Sequence, residues 1–247
     1  MTSSTLKGRV ALITGASGGL GAALARGLAG AGVDLLLGHG SHDVDDLVAE
    51  LRGTGRRVLA EQADAADPDA AAALVGRAEA ELGPVDVLVP AAGAGQQVEW
   101  GDVEVGTWDR VMAVNTRAPW LLAQRVLPGM IERGFGRILF VSSVAALNGG
   151  VIGPHYAASK AALHGLMHHL APRVAGAGVT VNTLAPALVA GTRMLPADPD
   201  DPDAMPLPIP VGRLGTTEEQ ADFALAVLRN GYLTNKVLPL DGGLVPT

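Results

Sequence analysis

Short runs of Val, Leu and Ile, each stopped near a glycine, alternate along this chain with longer Ala/Leu/Arg/Glu stretches of helical period. That alternation narrows the fold sharply. Strands joined by helices pair in parallel, because a helical crossover returns the chain to the same end of a sheet. The runs predict strands at Val10–Thr14, Asp34–Leu37, Val58–Glu61, Val85–Val89, Ile138–Ser142, Val179–Leu184 and Val237–Leu240. Their central members are apolar at successive positions, so the sheet is expected to be covered on both faces. Helices are expected at Gly19–Ala29, Asp43–Arg52, Asp67–Leu82, Thr107–Glu132, Tyr156–Ala175 and Thr217–Leu228. Asp67 reads as the cap of the third with Pro68 in its first turn, Pro119 predicts a bend in the fourth, and Thr216-Thr217-Glu218-Glu219 is a cap signal for the last.

Composition removes several classes of function. With 18 Lys+Arg against 25 Asp+Glu, the net charge of −7 provides no positive field for nucleic acid or an anionic membrane. The absence of cysteine excludes a disulfide framework, a Cys-ligated metal centre and a thiol nucleophile. No stretch reaches ~18 uninterrupted apolar residues, and no secretory leader is visible, so a soluble cytoplasmic protein is expected. The 247 residues suit one large α/β domain or two small ones. Pro196–Pro210, with six prolines and four aspartates, is too stiff and polar for a core element. Too few residues follow it to form a second domain, so it reads as part of a substrate-loop insertion over about 191–213, a mobile lid on the site.

Directly after the first strand stands Thr14-Gly15-Ala16-Ser17-Gly18-Gly19-Leu20-Gly21, entering a helix. Glycines there permit a tight turn and let backbone N–H groups at a helix N-terminus approach a pyrophosphate. The spacing Gly-x-x-x-Gly-x-Gly differs from the commoner Gly-x-Gly-x-x-Gly, and its place after the first strand favours a dinucleotide cradle over a plain tight connection.

With Asn115, Ser143 and Tyr156-Ala157-Ala158-Ser159-Lys160 following in order, the sequence resembles the short-chain dehydrogenases/reductases over nearly its whole length, Lys7 to Gly243. Its pattern is similar to ketoreductases related to 3-oxoacyl-carrier-protein reductase. The resemblance implies α/β architecture in a single Rossmann-type doubly wound domain, 1–247, with a seven-stranded parallel sheet. It also implies a nicotinamide cofactor and hydride transfer to or from a carbonyl or secondary alcohol carbon.

The residues carry that chemistry on their own terms. Tyr156 and Lys160, four apart, share a helix face. Lowering a phenol from ~10 to ~7 takes about 4 kcal/mol, part of which a neighbouring ammonium can supply, leaving Tyr156 poised as general acid or base. A surface pair is the plain alternative. Ser143 lies at the carboxyl edge of the fifth strand, where its hydroxyl can bond a substrate oxygen, while Ser142 points the other way as a structural partner. Asn115 is costly inside a helix without a side-chain task. The resemblance implies that it holds a water linking Lys160 to a proton relay; a partner to a kink near Pro119 is the alternative.

Further cofactor contacts are expected from Asp64 and Ala65 at the end of the third strand, with Asp64 accepting from the adenine amino group or serving only as a helix-entry acid. Ala92 and Gly93 match the second half of the family's Asn-Asn-Ala-Gly, but Pro90-Ala91 stand where its two amides would be, which puts the usual bracing of the central sheet in question. Pro186, Val189 and Thr192 are assigned to the nicotinamide carboxamide, although Ala187 replaces a glycine and the threonine falls one residue late.

The choice of cofactor turns on Gly38-His39-Gly40-Ser41-His42, where His39 stands in place of the acid that marks NAD use. His39, Ser41 and His42 could donate to a 2′-phosphate, yet no Arg or Lys sits there, and Gly18 fills the position where many NADP-dependent relatives carry a base. The balance favours NADP(H) over NAD(H). The histidines could instead be solvated turn residues, and without further ligands no metal site is read.

Two segments, 147–155 and 191–210, should wall a small apolar pocket. Arg193 is the only base in its loop before Arg213, so a strongly anionic substrate is not indicated, and a small-molecule ketone or a carrier-protein thioester stays open. His155 could touch substrate or face solvent. A nicotinamide-binding sensor or scaffold without turnover is the alternative function. Apolar residues on several faces of the two long helices, Trp120, Leu121, Leu163 and Leu166, point to a homotetramer or a dimer.

Overall fold

Seven parallel strands in the order β3-β2-β1-β4-β5-β6-β7 form the sheet of the computed structural model, which describes residues 5–195 and 208–246. They are β1 (Val10–Thr14), β2 (Asp34–His39), β3 (Val58–Gln62), β4 (Val87–Pro90), β5 (Gly136–Val141), β6 (Val179–Pro186) and β7 (Val237–Leu240). Eight α-helices flank them among the described residues: α1 (Gly19–Gly30), α2 (Asp45–Arg52), α3 (Ala70–Glu81), α4 (Val105–Met112), α5 (Ala118–Glu132), α6 (Ala145–Asn148), α7 (Pro154–Val174) and α8 (Thr217–Arg229). One core joins Ile13, Leu35 and Leu37 to α1, α2 and α8; the other joins Leu12, Leu36 and Phe140 to α3, α5 and α7. Alternate residues of each central strand thus face opposite layers, which is why these strands read as unbroken apolar runs. No helix of the described residues is long and apolar enough to cross a membrane.

Strand order reverses between β1 and β4, so the connections leaving these two strands diverge and open a crevice at their carboxyl ends. The opposite edge is closed by charge. Asp86, just before β4, lies 3.5 Å from Arg9 and 3.6 Å from Arg133, while Asp34 at the start of β2 bonds Arg57 at 2.7 Å. Arg137, buried in β5, donates to the Leu228 carbonyl at 3.0 Å and the Gly178 carbonyl at 3.1 Å. Its guanidinium and that of Arg9 lie 4.3 and 3.8 Å from the Phe135 ring centroid.

Several expected boundaries move, each for a local reason. Strand β5 starts at Gly136, since Gly136 and Arg137 pair with Val179 and Thr180. The third helix begins at Ala70 because Asp67 accepts from the Asp69 amide at 2.9 Å, spending its side chain on a turn before the helix. The expected bend at Pro119 is a π-helical turn over Ala113–Arg117, and Pro119 sits in the first turn of α5. Proline has no N–H to offer the Asn115 carbonyl four residues back, and the Ala118 amide reaches back to the Ala113 carbonyl instead. The cap signal at Thr216 forms a capping box: its hydroxyl accepts from the Glu219 amide and the Glu219 carboxylate accepts from the Thr216 amide. Leu163 belongs to the core, whereas Trp120, Leu121 and Leu166 are partly buried against it. Most of the expected lid at Pro196–Pro210 lies outside the described residues; within its described part, Ile209 is buried with Ala190 and Leu214.

Candidate active site

The chain leaves β1 through Gly15, whose φ is +72°. A Cβ there would stand 2.6 Å from the Ala92 nitrogen, so glycine lets the first turn pass against the end of β4. Gly18 then caps α1, and Gly19, Leu20 and Gly21 open it with amides that helix geometry leaves without intrahelical partners. Beside this turn lies a cleft of about 460 Å³. Gly15, Ser17, His39, Ser41, Asp64, Ala65, Ala92 and Gly93 of the expected contacts line it, with Arg110 and Arg193. A backbone turn at a helix N-terminus opening on a partly polar cleft suits a dinucleotide.

Where Pro90-Ala91 stand, the end of β4 is tied through its backbone to β1, while its pairing with β5 stops at Leu88. Thr14 accepts the Ala91 amide with its carbonyl at 3.2 Å and the Ala92 amide with its hydroxyl at 3.3 Å. Asn115 braces the next residue, accepting from the Ala94 amide and donating to the Ala94 carbonyl, each at 2.8 Å. It also donates to the Ser159 hydroxyl at 2.9 Å, which itself donates to the Tyr156 carbonyl at 2.7 Å. The kink-partner alternative for Asn115 is therefore too small: its side chain fastens the β4 loop to α7 from within the π-helical turn.

Strand β5 ends at Val141, so Ser142 and Ser143 lie just beyond it, with different partners on α7. The Ser142 hydroxyl donates to the Lys160 carbonyl at 2.9 Å and contacts His164 Nε2 at 3.0 Å. The Ser143 hydroxyl accepts the Ala145 amide at 3.1 Å and lies near enough to the Tyr156 phenol to favour its ionised form slightly. Lys160 is buried and donates from Nζ to the Val141 carbonyl at 2.8 Å, with Nζ 5.8 Å from the Tyr156 ring centroid. Burial brings its pKa down to about 8. Burial also pushes the Tyr156 phenol up, against a smaller opposing effect from the Ser143 hydroxyl. That corrects the expected phenol brought toward neutrality: Lys160 is turned to a carbonyl, and desolvation of the phenolate dominates. At neutral pH Tyr156 holds its proton.

The remaining expected residues fall at different distances from this pair. Asp64 is held at both oxygens, by Arg110 at 2.9 Å and the Ala66 amide at 2.9 Å, and these bonds lower its pKa. His39 Nδ1 faces the His42 carbonyl at 2.9 Å, which fixes the protonated nitrogen on that side. The Pro186 carbonyl takes the Val144 amide at 2.9 Å. Val189 pairs with Gly215, and the Thr192 hydroxyl donates to the Val189 carbonyl at 3.0 Å, closing a turn with Leu195. Pro186, Val189 and Thr192 do not line the cleft. His155 is fully buried and neither ring nitrogen has a hydrogen-bond partner among the described residues, so the solvent-facing alternative is wrong. It sits one residue into α7, its ring filling the space a Cβ on Gly153 would enter.

Thr14 and Ser159 stand outside the expected site residues, and Arg193 was expected only in the wall of the substrate pocket. Thr14 and Ser159 act through backbone groups, and their signals were a hydroxyl at a strand end and a mid-helix serine three residues after Tyr156. Arg193 reaches Ser17 across 176 residues, a contact no local pattern announces.

A family model described as short chain dehydrogenase matches residues 9–203. Acetoacetyl-CoA reductase of Cupriavidus necator is 33% identical over 240 residues, covering 96% of this chain and 98% of that protein. 2-Dehydro-3-deoxy-D-gluconate 5-dehydrogenase of Dickeya dadantii is 35% identical over 243 residues, 96% of each. Among solved structures, a blue fluorescent protein from a metagenomic library in complex with NADPH aligns with TM-score 0.90 at 35% identity, over 98% of this chain and all of that one. A 3-oxoacyl (acyl-carrier-protein) reductase from Agrobacterium tumefaciens with NADP bound aligns with TM-score 0.89 at 33% identity, over 96% of this chain and 95% of that one.

Proposed function

Since the chain belongs to the short-chain dehydrogenase family and is an NAD(P)-dependent oxidoreductase, we propose that it reduces an uncharged carbonyl compound with NADP(H), Tyr156 giving the proton. The observation that carries this reading is the buried Tyr156 phenol, beside Ser143 and one helical turn from Lys160, holding its proton at neutral pH. When bound, the nicotinamide supplies or accepts the hydride. Ser143 orients the substrate oxygen, and Tyr156 protonates it as negative charge develops there. Lys160 keeps a positive charge below about pH 8 in the same field. Asn115 and Ser159 hold the β4 loop and α7 in register, a positioning role.

Leu147, Val151 and Met194 are exposed in the segments flanking Ser143, Tyr156 and the cleft, and this apolar rim suits a ketone or a thioester-borne 3-oxoacyl group. A sensor or scaffold without turnover is not favoured, because such a protein has no chemical need for this set of groups. The partly buried Trp120, Leu121 and Leu166 on α5 and α7 support a homotetramer, which a monomeric mass in light scattering overturns. The activity is tested by following NADPH absorbance with a panel of neutral ketones, 3-oxoacyl thioesters and carboxylated ketones. Turnover of the neutral members is the expected result; oxidation of NADPH with none of them overturns the proposal.

A further inference from the structure

Gly18 leaves the glycine turn without a base, and the β2–α2 loop supplies only histidines, yet a guanidinium stands between them. Arg193 donates from Nη2 to the Ser17 hydroxyl at 3.2 Å, and its Nη1 lies 3.0 Å from His42 Nδ1. A Cβ on Gly18 would be 3.9 Å from that same Nη2, so the cation occupies the region a base at position 18 would enter. Ser17, His39, Ser41 and Arg193 line one cleft. Among the described residues two of the five guanidinium donors are engaged, neither by a carboxylate, and three remain. We propose that Arg193, delivered by the turn after β6, is the residue that recognises the 2′-phosphate of NADP(H), with Ser17 and His42 holding its guanidinium in place. This rests on the NADP(H) reading above and names the group that would carry it.

The turn that delivers Arg193 is itself fixed. Thr192 and Leu195 exchange backbone hydrogen bonds at 3.1 and 3.3 Å, and the Thr192 hydroxyl closes onto the Val189 carbonyl. Arg193 leaves this turn toward Ser17, while its neighbour Met194 reaches the other way: a Cβ on Gly95 would stand 3.2 Å from Met194 Cε and 2.8 Å from the Tyr156 ring. The single base of this loop therefore serves the cofactor side, and the apolar neighbour walls the side where Tyr156 lies.

The test uses equilibrium binding to the whole cofactor-free protein, with 2′,5′-ADP and 5′-AMP as probes that differ in the 2′-phosphate and carry no nicotinamide. NADPH and NADH fluorescence provides the second pair. Arg193→Gln is expected to weaken 2′,5′-ADP and NADPH roughly tenfold to a hundredfold, as loss of a charge-assisted bond to phosphate does, while 5′-AMP and NADH hold within about threefold. Arg193→Lys should keep part of the preference, and adding Gly18→Arg to Arg193→Gln should restore it. Equal weakening of both members of each pair, or of neither, overturns the assignment of Arg193 and leaves the NADP(H) reading standing. If the unaltered protein shows no preference for 2′,5′-ADP over 5′-AMP, the NADP(H) reading falls and Arg193 falls with it.

Discussion

The two edges of the sheet hold similar residue types, paired at the amino edge and, Asp64 with Arg110 aside, less fully partnered at the carboxyl edge. At the amino edge, Asp34 and Asp86 face Arg57, Arg9 and Arg133, and Arg137 spends its donors on carbonyls of α8 and the turn before β6. At the carboxyl edge, Lys160 has a carbonyl rather than a carboxylate, Tyr156 keeps a buried phenol, and Arg193 leans on a serine and a histidine. Saturated groups hold the strands together. Groups with bonding capacity left over are those that can act on something else, so the same charges mean stability at one end and chemistry at the other.

Substitutions should separate along that line. The largest effect belongs to Tyr156→Phe, which deletes one oxygen at the carboxyl edge: kcat should fall about 1,000-fold or more with the melting temperature unchanged. Retention of a tenth of the rate would break the contrast at its strongest point.

Lys160 should announce its unsaturated state through pH. Its folded pKa of about 8 lies below the ordinary 10.5, so below pH 8 both folded and unfolded chains hold the proton and burial costs the folded state in full. Between 8 and 10.5 only the unfolded chain still binds it, so the unfolding free energy gains up to about 3 kcal/mol from this residue as pH rises. Tyr156, shifted upward, works the other way above pH ~10. Urea titrations between pH 8 and 9.5 should therefore show a rise that Lys160→Met flattens; identical slopes in the two proteins would contradict it.

Arg137→Met at the amino edge should give the inverse of Tyr156→Phe. Leaving the Leu228 and Gly178 carbonyls unpaired is expected to cost roughly 2–3 kcal/mol in chemical denaturation, with kcat per folded molecule unchanged. A changed kcat would show that the two edges are coupled. The smallest effect, about 1 kcal/mol, is expected for Thr216→Ala at the capping box of α8. That residue lies toward the carboxyl edge but is saturated, so its loss should also spare kcat and sharpen the point that bonding state, not address, divides the two classes.

The parts of the fold that were legible in sequence are those whose cause is local. Central strands buried on both faces announce themselves as apolar runs, and the Thr216 box is four residues long. Asp67 misled because an aspartate before a proline serves a turn as readily as a helix cap. Tyr156, Lys160 and Ser143 were legible because one helical turn and one strand end suffice to place them. The direction of the Tyr156 shift was not, since desolvation depends on everything packed over the ring. Nor were the clamp of Asn115 on Ala94, 21 residues away, and the reach of Arg193 to Ser17. His155 shows the same limit: its complete burial has no local signature in the residues around it.

The π-helical turn at Ala113–Arg117 holds one more residue than an α-helical turn needs. An extra residue advances the following helix by roughly 100° about its axis, so the apolar stripe of α4 and that of α5 no longer lie in line. Helix α4 turns its stripe to α7, while α5 turns its own to α3, β4 and β5. Asn115 stands in the widened turn where the two azimuths meet, facing Ala94 and Ser159 at once. Shortened by that residue, the segment becomes the more regular helix, and one of its two halves loses the surface it was built to cover.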